Sequence, residues 1–299
     1  MKLGEDKGKE FTETNNSIYI NNSMESLKSN SPQKHVAVCC IGIVFILLFA
    51  LNYILPINET DLASNRITRI NNWISITFTV AAICYIIKLR KLSLRGLFFS
   101  TICGGICYVT SLLEMNLLTA LMTGIPVAFV CYASFIIFET KIKDNETTTL
   151  GLLKSLKAFG IGALMGIPLA VGNVLYFVFQ SNHSATPNGI DSAFFALLPA
   201  ISEEVFYRFF FFALCMQWTE DTKSFRKFDI PFFLVTTLPF SLLHYVEDLK
   251  NNLFFAIIMT LILTFIFGLP HWLILKKKNL QMAIGFHWVM DFVRFFLGY

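Results

Sequence analysis

Two adjacent glutamates and an arginine stand out in the segment E-E-V-F-Y-R, Glu203 to Arg208, inside an otherwise apolar run from Ala193 to Met216. A helix of about 20 residues crosses the roughly 30 Å hydrocarbon core of a bilayer, so this run is long enough to span a membrane. A charged side chain at mid-membrane depth costs about 2.5–3.5 kcal/mol on insertion scales. Three such groups close together therefore indicate a functional site within the membrane.

The spacing of these charged residues on a helix gives them different surroundings. At about 100° per residue, Glu204 and Arg208 lie one turn apart and about 40° from each other, which favours an ion pair. Glu203 lies about 140° from Arg208 and shares a face with Tyr207. We therefore predict that Glu204 neutralises Arg208 and that Glu203 is free to face a cavity. The alternative is a purely structural triad that holds this helix to its neighbours.

Two of the five histidines lie in other apolar runs, in the segments F-S-L-L-H (Phe240–His244) and H-W-V-M-D (His287–Asp291). On a helix, Asp291 lies one turn after His287 on the same face and can reach it. A single buried histidine is usually structural, but two intramembrane histidines together with the glutamate helix form a constellation that indicates chemistry. The predicted catalytic residues are Glu203, His244, His287 and Asp291, with Glu204 and Arg208 in support.

The three segments resemble, in this order, the three motifs of the CPBP intramembrane protease family. That family includes the type II CAAX prenyl endopeptidases and bacterial bacteriocin-processing and immunity-type members. The resemblance covers about residues 190–299, whereas the preceding part of the chain resembles the family only in being transmembrane. The last position of the third motif is often Asn in the family and is Asp291 here.

The resemblance implies a glutamate-dependent endopeptidase. A carboxylate and an imidazole can together hold and deprotonate a water, so Glu203 and His244 would activate the attacking water. His287 would donate a hydrogen bond to the oxyanion, worth about 2.7–4 kcal/mol by analogy with one oxyanion-hole donor. An ionised Asp291 can only accept a hydrogen bond, so it would orient His287, or donate only when protonated.

A metal is the alternative use of the same side chains. His244, His287 and Asp291 suit a zinc ion with an open position for an activated water. The sequence contains no His-Glu-x-x-His pattern, and the resemblance favours catalysis without a cofactor.

The other three histidines are predicted to play no part in the chemistry. His271, beside Trp272 and near a predicted membrane interface, is predicted to be structural. His35 and His183 lie at a span edge and in a loop. All seven cysteines lie in apolar runs, which argues against a disulfide framework.

The elements that must position these residues are membrane-spanning helices. Of the 299 residues, 55% are hydrophobic and 15% charged, which is typical of a polytopic membrane protein and excludes an ordinary soluble domain. Apolar runs alternate with short polar connections and predict an all-α transmembrane bundle of about eight or nine helices. The predicted spans are residues 36–55, 73–89, 96–114, 117–138, 151–179, 191–216, 230–246, 253–275 and 280–298.

The chain divides into three predicted parts. Residues 1–34 are rich in Lys, Glu, Asn and Ser and predict a disordered tail. Residues 35–180 form the N-terminal helices, and residues 190–299 form the catalytic helices. Basic residues recur in alternate connections, which places the N-terminus in the cytoplasm and, with nine spans, the C-terminus outside. These basic connections are residues 88–95, 141–143, 223–227 and 276–278.

The expected partners are the lipid bilayer and a membrane-embedded or lipidated peptide substrate. The net charge of +4 gives no indication of nucleic acid, and the sequence does not indicate an oligomeric state. The Asn- and Lys-rich composition suggests a bacterial cell membrane. Two functions without catalysis stay open: a bacteriocin-immunity or scaffold protein, and a proton-coupled transporter, although transporters usually show repeated halves and none is evident here.

Overall fold

The computed structural model describes residues 32–55, 62–141, 152–180, 189–217, 230–277 and 279–299. Within these ranges the chain is helical and contains no β-strand, which confirms the predicted all-α bundle. The predicted tail lies outside the described residues except for residues 32–34, which begin the first helix. The helices before the motif segments are α1 (Pro32–Ile54), α2 (Leu62–Leu89), α3 (Leu94–Glu114), α4 (Leu117–Lys141) and α5 (Leu152–Gln180).

The motif segments lie in a second group of helices, two of which change from α to π geometry along their length. These elements are α6 (Ser192–Phe195), α7 (Leu197–Glu203), π1 (Glu204–Phe210), α8 (Phe211–Gln217), α9 (Ile230–Leu243), α10 (Asp248–Asn251), α11 (Leu253–Ile262), π2 (Leu263–Gly268), α12 (Leu269–Lys277) and α13 (Leu280–Phe296).

Five helical stretches in the described part are long and apolar enough to cross a membrane: Arg66–Leu89, Leu94–Glu114, Leu117–Lys141, Leu153–Phe179 and Leu253–Lys277. Two shorter apolar helices, Cys39–Ile54 and Ile230–Leu243, accompany them. Large apolar side chains cover the outside of the bundle; Phe179 is 85% exposed and Phe254 is 76% exposed. Such a surface is stable only where lipid covers it, so the protein is an integral membrane protein.

Helix α2 begins at Leu62, well before the predicted start of its span at residue 73. Arg69 lies in this additional part and donates from Nε to Asn52 Oδ1 at 2.8 Å and from Nη2 to the Asn52 carbonyl at 2.7 Å. A further bond reaches the Leu55 carbonyl at 3.2 Å. These bonds satisfy the Arg69 guanidinium and two carbonyls at the end of α1. Helix α2 can therefore include Arg69, although the hydropathy pattern placed this residue outside the span.

Helices α5 and α13 pack closely through glycines. A Cβ atom on Gly162 would collide with the Met282 carbonyl oxygen, and one on Gly285 would collide with the Phe159 carbonyl oxygen. The Gly-x-x-x-Gly pattern at Gly162 and Gly166 predicts such packing, and the structure confirms it. The contact fixes α13, and with it His287 and Asp291, against a long membrane-spanning helix.

The segment that carries the first motif lies in the centre of the bundle. All seven residues of π1 are buried. Phe209 stacks on Phe138 of α4 with 5.0 Å between ring centroids, and Phe211 contacts Phe78 of α2 edge-on at 5.0 Å. A helix that is apolar on all sides is stable only when other helices enclose it. Glu204 and Arg208 are therefore held inside the protein and not at its lipid-facing surface.

Candidate active site

The Glu204–Arg208 pair forms as the helical spacing predicts. Arg208 Nη1 donates to Glu204 Oε1, and the two side chains are 1% and 0% exposed. The guanidinium also lies 4.6 Å from the centroid of the Phe240 ring. Glu204 begins π1, and π-helical turns occur frequently at functional sites. The two most deeply buried charges of the segment therefore neutralise each other.

Glu203 occupies a more open position than its neighbour. Its side chain is 26% exposed, and its Oε2 lies 3.4 Å from His287 Nε2. Tyr207, predicted to share its face, donates from its hydroxyl to Asn71 Oδ1 at 3.1 Å. The two adjacent glutamates therefore differ in environment as predicted, while the catalytic role of Glu203 stays a prediction.

His287 lies at the centre of three carboxylates. Its Nδ1 is 2.8 Å from Glu204 Oε1, and its Nε2 is 3.4 Å from Glu203 Oε2 and 3.3 Å from Asp291 Oδ2. Carboxylate oxygens only accept hydrogen bonds, so the Nδ1–H donates to Glu204 and the single Nε2–H faces both Glu203 and Asp291. His287 connects the enclosed Glu204 to the open Glu203.

Asp291 lies between two donors. Its Oδ1 accepts from Arg294 Nη2 at 3.1 Å, and its Oδ2 faces His287. Both oxygens therefore act as acceptors. This arrangement agrees with the expectation that an ionised Asp291 orients His287, although its part in catalysis stays a prediction.

The position of His244 differs from the sequence prediction. The predicted span ran to residue 246, but α9 ends at Leu243, and His244 is an exposed residue at the start of a turn over residues 244–247. The backbone closes this turn when the Tyr245 N–H donates to the Leu242 carbonyl at 3.1 Å. His244 is therefore at the end of its helix and not within it.

Contacts still connect His244 with the other predicted residues. Its ring is 4.7 Å from the Phe240 ring, which is in turn 6.3 Å from the His287 ring. No hydrogen bond joins His244 to Glu203, His287 or Asp291 in the described part of the chain. The structure thus brings Glu203, His287 and Asp291 together and leaves His244 beside them.

His271 belongs to the site, although the sequence predicted a structural residue near the membrane interface. It is 1% exposed, and its Nε2 lies 3.6 Å from Glu204 Oε1. Its Nδ1–H donates to the Phe267 carbonyl at 2.7 Å. Pro270 precedes it and lacks the N–H that would bond one turn back. An interrupted helix inside an apolar span was the signal that could have identified His271, because such interruptions line functional cavities.

The residues that approach one another as metal ligands differ from the predicted set. Among the residues that the structure describes, Glu204, His271 and His287 bring one ligand atom each within 4.8 Å of the others, whereas the sequence predicted His244, His287 and Asp291. Arg208 donates to Glu204 Oε1, and a guanidinium there opposes a second cation.

Two buried atoms in this group, Glu204 Oε2 and His271 Nε2, have no hydrogen-bond partner within the described ranges. Catalytic zinc usually takes three protein ligands. Here only two possible ligand atoms lack a hydrogen-bond partner, and the positively charged Arg208 lies beside them. The group therefore fits a zinc ion poorly.

These features define an integral membrane protein with an ionisable site enclosed by its helices. Residues 187–293 match the family described as Type II CAAX prenyl endopeptidase Rce1-like. The matched range contains all three motif segments and confirms their resemblance to the CPBP family for this part of the chain. The match implies a protease. No curated protein and no solved structure matches the chain.

Proposed function

We propose that the protein is an intramembrane endopeptidase that hydrolyses a peptide bond of a membrane-associated or lipidated peptide. The observation that carries this proposal is the contact of the partly open Glu203 with the buried His287–Asp291 pair. The site lies within a region that matches a CAAX endopeptidase family. The reaction needs no cofactor.

In the proposed reaction, Glu203 and His244 hold a water and accept its proton. The hydroxide attacks the scissile carbonyl carbon, and the carbonyl oxygen becomes an oxyanion. His287 Nε2–H donates to that oxygen, since the nitrogen already faces the Glu203 side of the site. The tetrahedral intermediate then expels the amine, which takes the proton first removed from water.

The enclosed residues support this reaction without contacting the substrate. Glu204 accepts from His287 Nδ1 and thereby leaves Nε2 directed at the open side. Arg208 compensates the charge of Glu204, and Asp291 fixes the ring from its other edge. Because Nδ1 is held, the ring loses little entropy when its Nε2–H binds the oxyanion.

An apolar cavity beside the His244 turn supports an apolar or lipidated substrate. It has a volume of about 420 Å³ and lies between the end of α1 and the turn that follows α9. Leu242 and Val246, on either side of His244, contribute to its wall. A lipid chain in this cavity would place the attached peptide next to His244.

The test uses purified protein in nanodiscs and a farnesylated peptide that ends in a CAAX sequence. We expect the wild type to release the C-terminal fragment and Glu203→Gln to lower kcat by about 100-fold or more, the scale of general-base catalysis. Glu114→Gln, at an exposed glutamate at the end of α3, is the matched control and should retain activity. Melting temperatures establish that all three proteins are folded.

A chelator in the same assay tests the metal-dependent alternative. A mechanism in which Glu203 activates water without zinc predicts no effect of the chelator. Inactivation that zinc reverses, with near one bound metal per chain, would contradict the proposal. If the protein were an immunity protein or a transporter, the wild type would not cleave this peptide. Comparative proteomics of cell membranes would then also show no peptides released by the wild type.

A further inference from the structure

Peptide hydrolysis benefits from more than one donor at the oxyanion, and Asp291 cannot serve as one. Its Oδ2 faces His287 at 3.3 Å, and its Oδ1 accepts from Arg294 at 3.1 Å. An ionised carboxylate has no proton to give. A second donor must therefore come from another residue near the open side of His287.

Arg294 is the donor that the structure places next to Asp291. It lies one turn further along α13, and its side chain is 29% exposed. Its Nε is buried and has no hydrogen-bond partner among the described residues. A guanidinium carries five N–H groups and remains charged at all relevant pH values, so donors remain after the bond to Asp291 is made.

Arg294 reaches the site through Asp291, whose other oxygen lies 3.3 Å from His287 Nε2. Its guanidinium carbon is 4.7 Å from the Phe295 ring centroid and 5.9 Å from that of Phe177, so apolar groups flank the cation. Its Nη2 donates to Asp291 Oδ1 at 3.1 Å. The cation is thus joined through Asp291 to His287, the first proposed oxyanion donor.

We propose that Arg294, held by Asp291, donates the second hydrogen bond to the oxyanion and is a catalytic residue. This inference rests on the proposed endopeptidase function. Asp291 would act as the support of a cationic donor. Asparagine at position 291 would instead offer its own amide N–H, and this difference makes the proposal testable.

The experiment is a double-mutant cycle on the farnesylated CAAX peptide, with Arg294→Gln, Asp291→Asn and the double variant. Arg294→Gln should lower kcat by about 100-fold, the effect of one oxyanion donor, and change KM by less than about threefold. Asp291→Asn supplies the second background of the cycle, in which an amide replaces the carboxylate. When Asp291→Asn is already present, adding Arg294→Gln should lower kcat by less than about fivefold, because the amide donates instead. Arg95→Gln, at an exposed arginine of α3, is the matched control.

Three outcomes would overturn this inference: an equal loss of kcat with and without Asp291→Asn, a change confined to KM, or full activity of Arg294→Gln. If Arg294→Gln fails to fold, Arg294→Lys keeps a cationic donor and should retain more kcat than the glutamine variant. Glu203→Gln, measured in parallel, separates the two proposals. An inactive Glu203→Gln beside a fully active Arg294→Gln contradicts only the role of Arg294. A wild type without cleavage contradicts both.

Discussion

Glu203 and Glu204 have the same side chain and adjacent positions, yet their surroundings differ. Glu204 is fully enclosed and accepts from Arg208 and His287, whereas Glu203 keeps about a quarter of its side chain exposed. A buried charge needs compensation by an opposite charge and hydrogen bonds, and Glu204 has both. A carboxylate that must bind water and release a proton needs an accessible side chain instead, and Glu203 is partly accessible.

Glu204 is expected to matter more for stability than Glu203. Glu204→Gln leaves the Arg208 cation buried without its ionic partner, which costs about 3–5 kcal/mol in comparable pairs. We expect a clearly lower melting temperature and lower membrane expression than for Glu203→Gln, which should remain close to wild type in both. Thermal melts in detergent with quantitative blots measure the difference. Equal stability of the two variants, with activity lost only in Glu204→Gln, would reverse the assigned roles.

At the residue scale, the sequence predicts contacts within one helix and misses those between helices. Glu204 with Arg208 and His287 with Asp291 are both four residues apart, and helix geometry alone makes them neighbours. The approach of His271 to Glu204 depends on how α12 packs against π1, which spacing along the chain does not determine. The end of α9 before His244 likewise depends on a turn over residues 244–247, which the apolar pattern up to Val246 does not reveal.

At the scale of elements, two π-helical segments lie beside the contact between Glu204 and His271. π1 begins at Glu204, and π2 ends shortly before His271. A π turn rotates the residues after it relative to an ideal α-helix, so helical angles counted from the sequence fail beyond it. A Cβ atom on Gly268, at the end of π2, would lie 3.3 Å from the Thr237 side chain of α9, so the two helices approach closely here.

The packing of α5 on α13 gives a prediction with an internal control. Gly162→Ala places a methyl group against the Met282 backbone, which cannot move aside as a side chain could, and should destabilise the protein by about 1–3 kcal/mol. Gly160→Ala, two residues away on the same helix, meets nothing within 4 Å. It should be neutral or stabilise the protein by up to about 1 kcal/mol, because alanine favours helix more than glycine does. Melting temperatures of the two variants decide the matter; equal values would contradict the close packing.

The Gly162→Ala variant should also lose activity, since α13 carries His287 and Asp291. A shift of about 1 Å at the reacting groups can cost about 100-fold in rate. A variant that is less stable but retains full kcat would indicate that α13 keeps its position while α5 yields.

At the scale of the whole molecule, the helices that precede the motifs enclose the site. Phe78 of α2 and Phe138 of α4 pack on the phenylalanines that follow Arg208. Composition alone predicted the membrane bundle, because so apolar a chain cannot be soluble. It could not predict which helices surround the glutamates, since lipid-facing and protein-facing residues are equally apolar in such a chain.

The number of crossings gives the last prediction. Within the described ranges there are nine apolar helical segments, if α6–π1–α8 and α11–π2–α12 are each taken as one. Nine crossings would place the two ends of the chain on opposite sides, and the basic connections predict a cytoplasmic N-terminus. A reporter fused after Tyr299 should therefore be active as alkaline phosphatase and dark as a green fluorescent protein. The same reporters fused before Met1 should give the reverse.

Helix α9 is the segment on which this result depends. Its 14 residues measure about 21 Å at 1.5 Å per residue, less than the roughly 30 Å hydrocarbon core. It can cross only where the bilayer thins or where neighbouring helices cover its ends. Fluorescence from both ends of the chain would mean an even number of crossings, with α9 as the segment that fails to cross. His244 would then lie within the membrane and not near its outer surface.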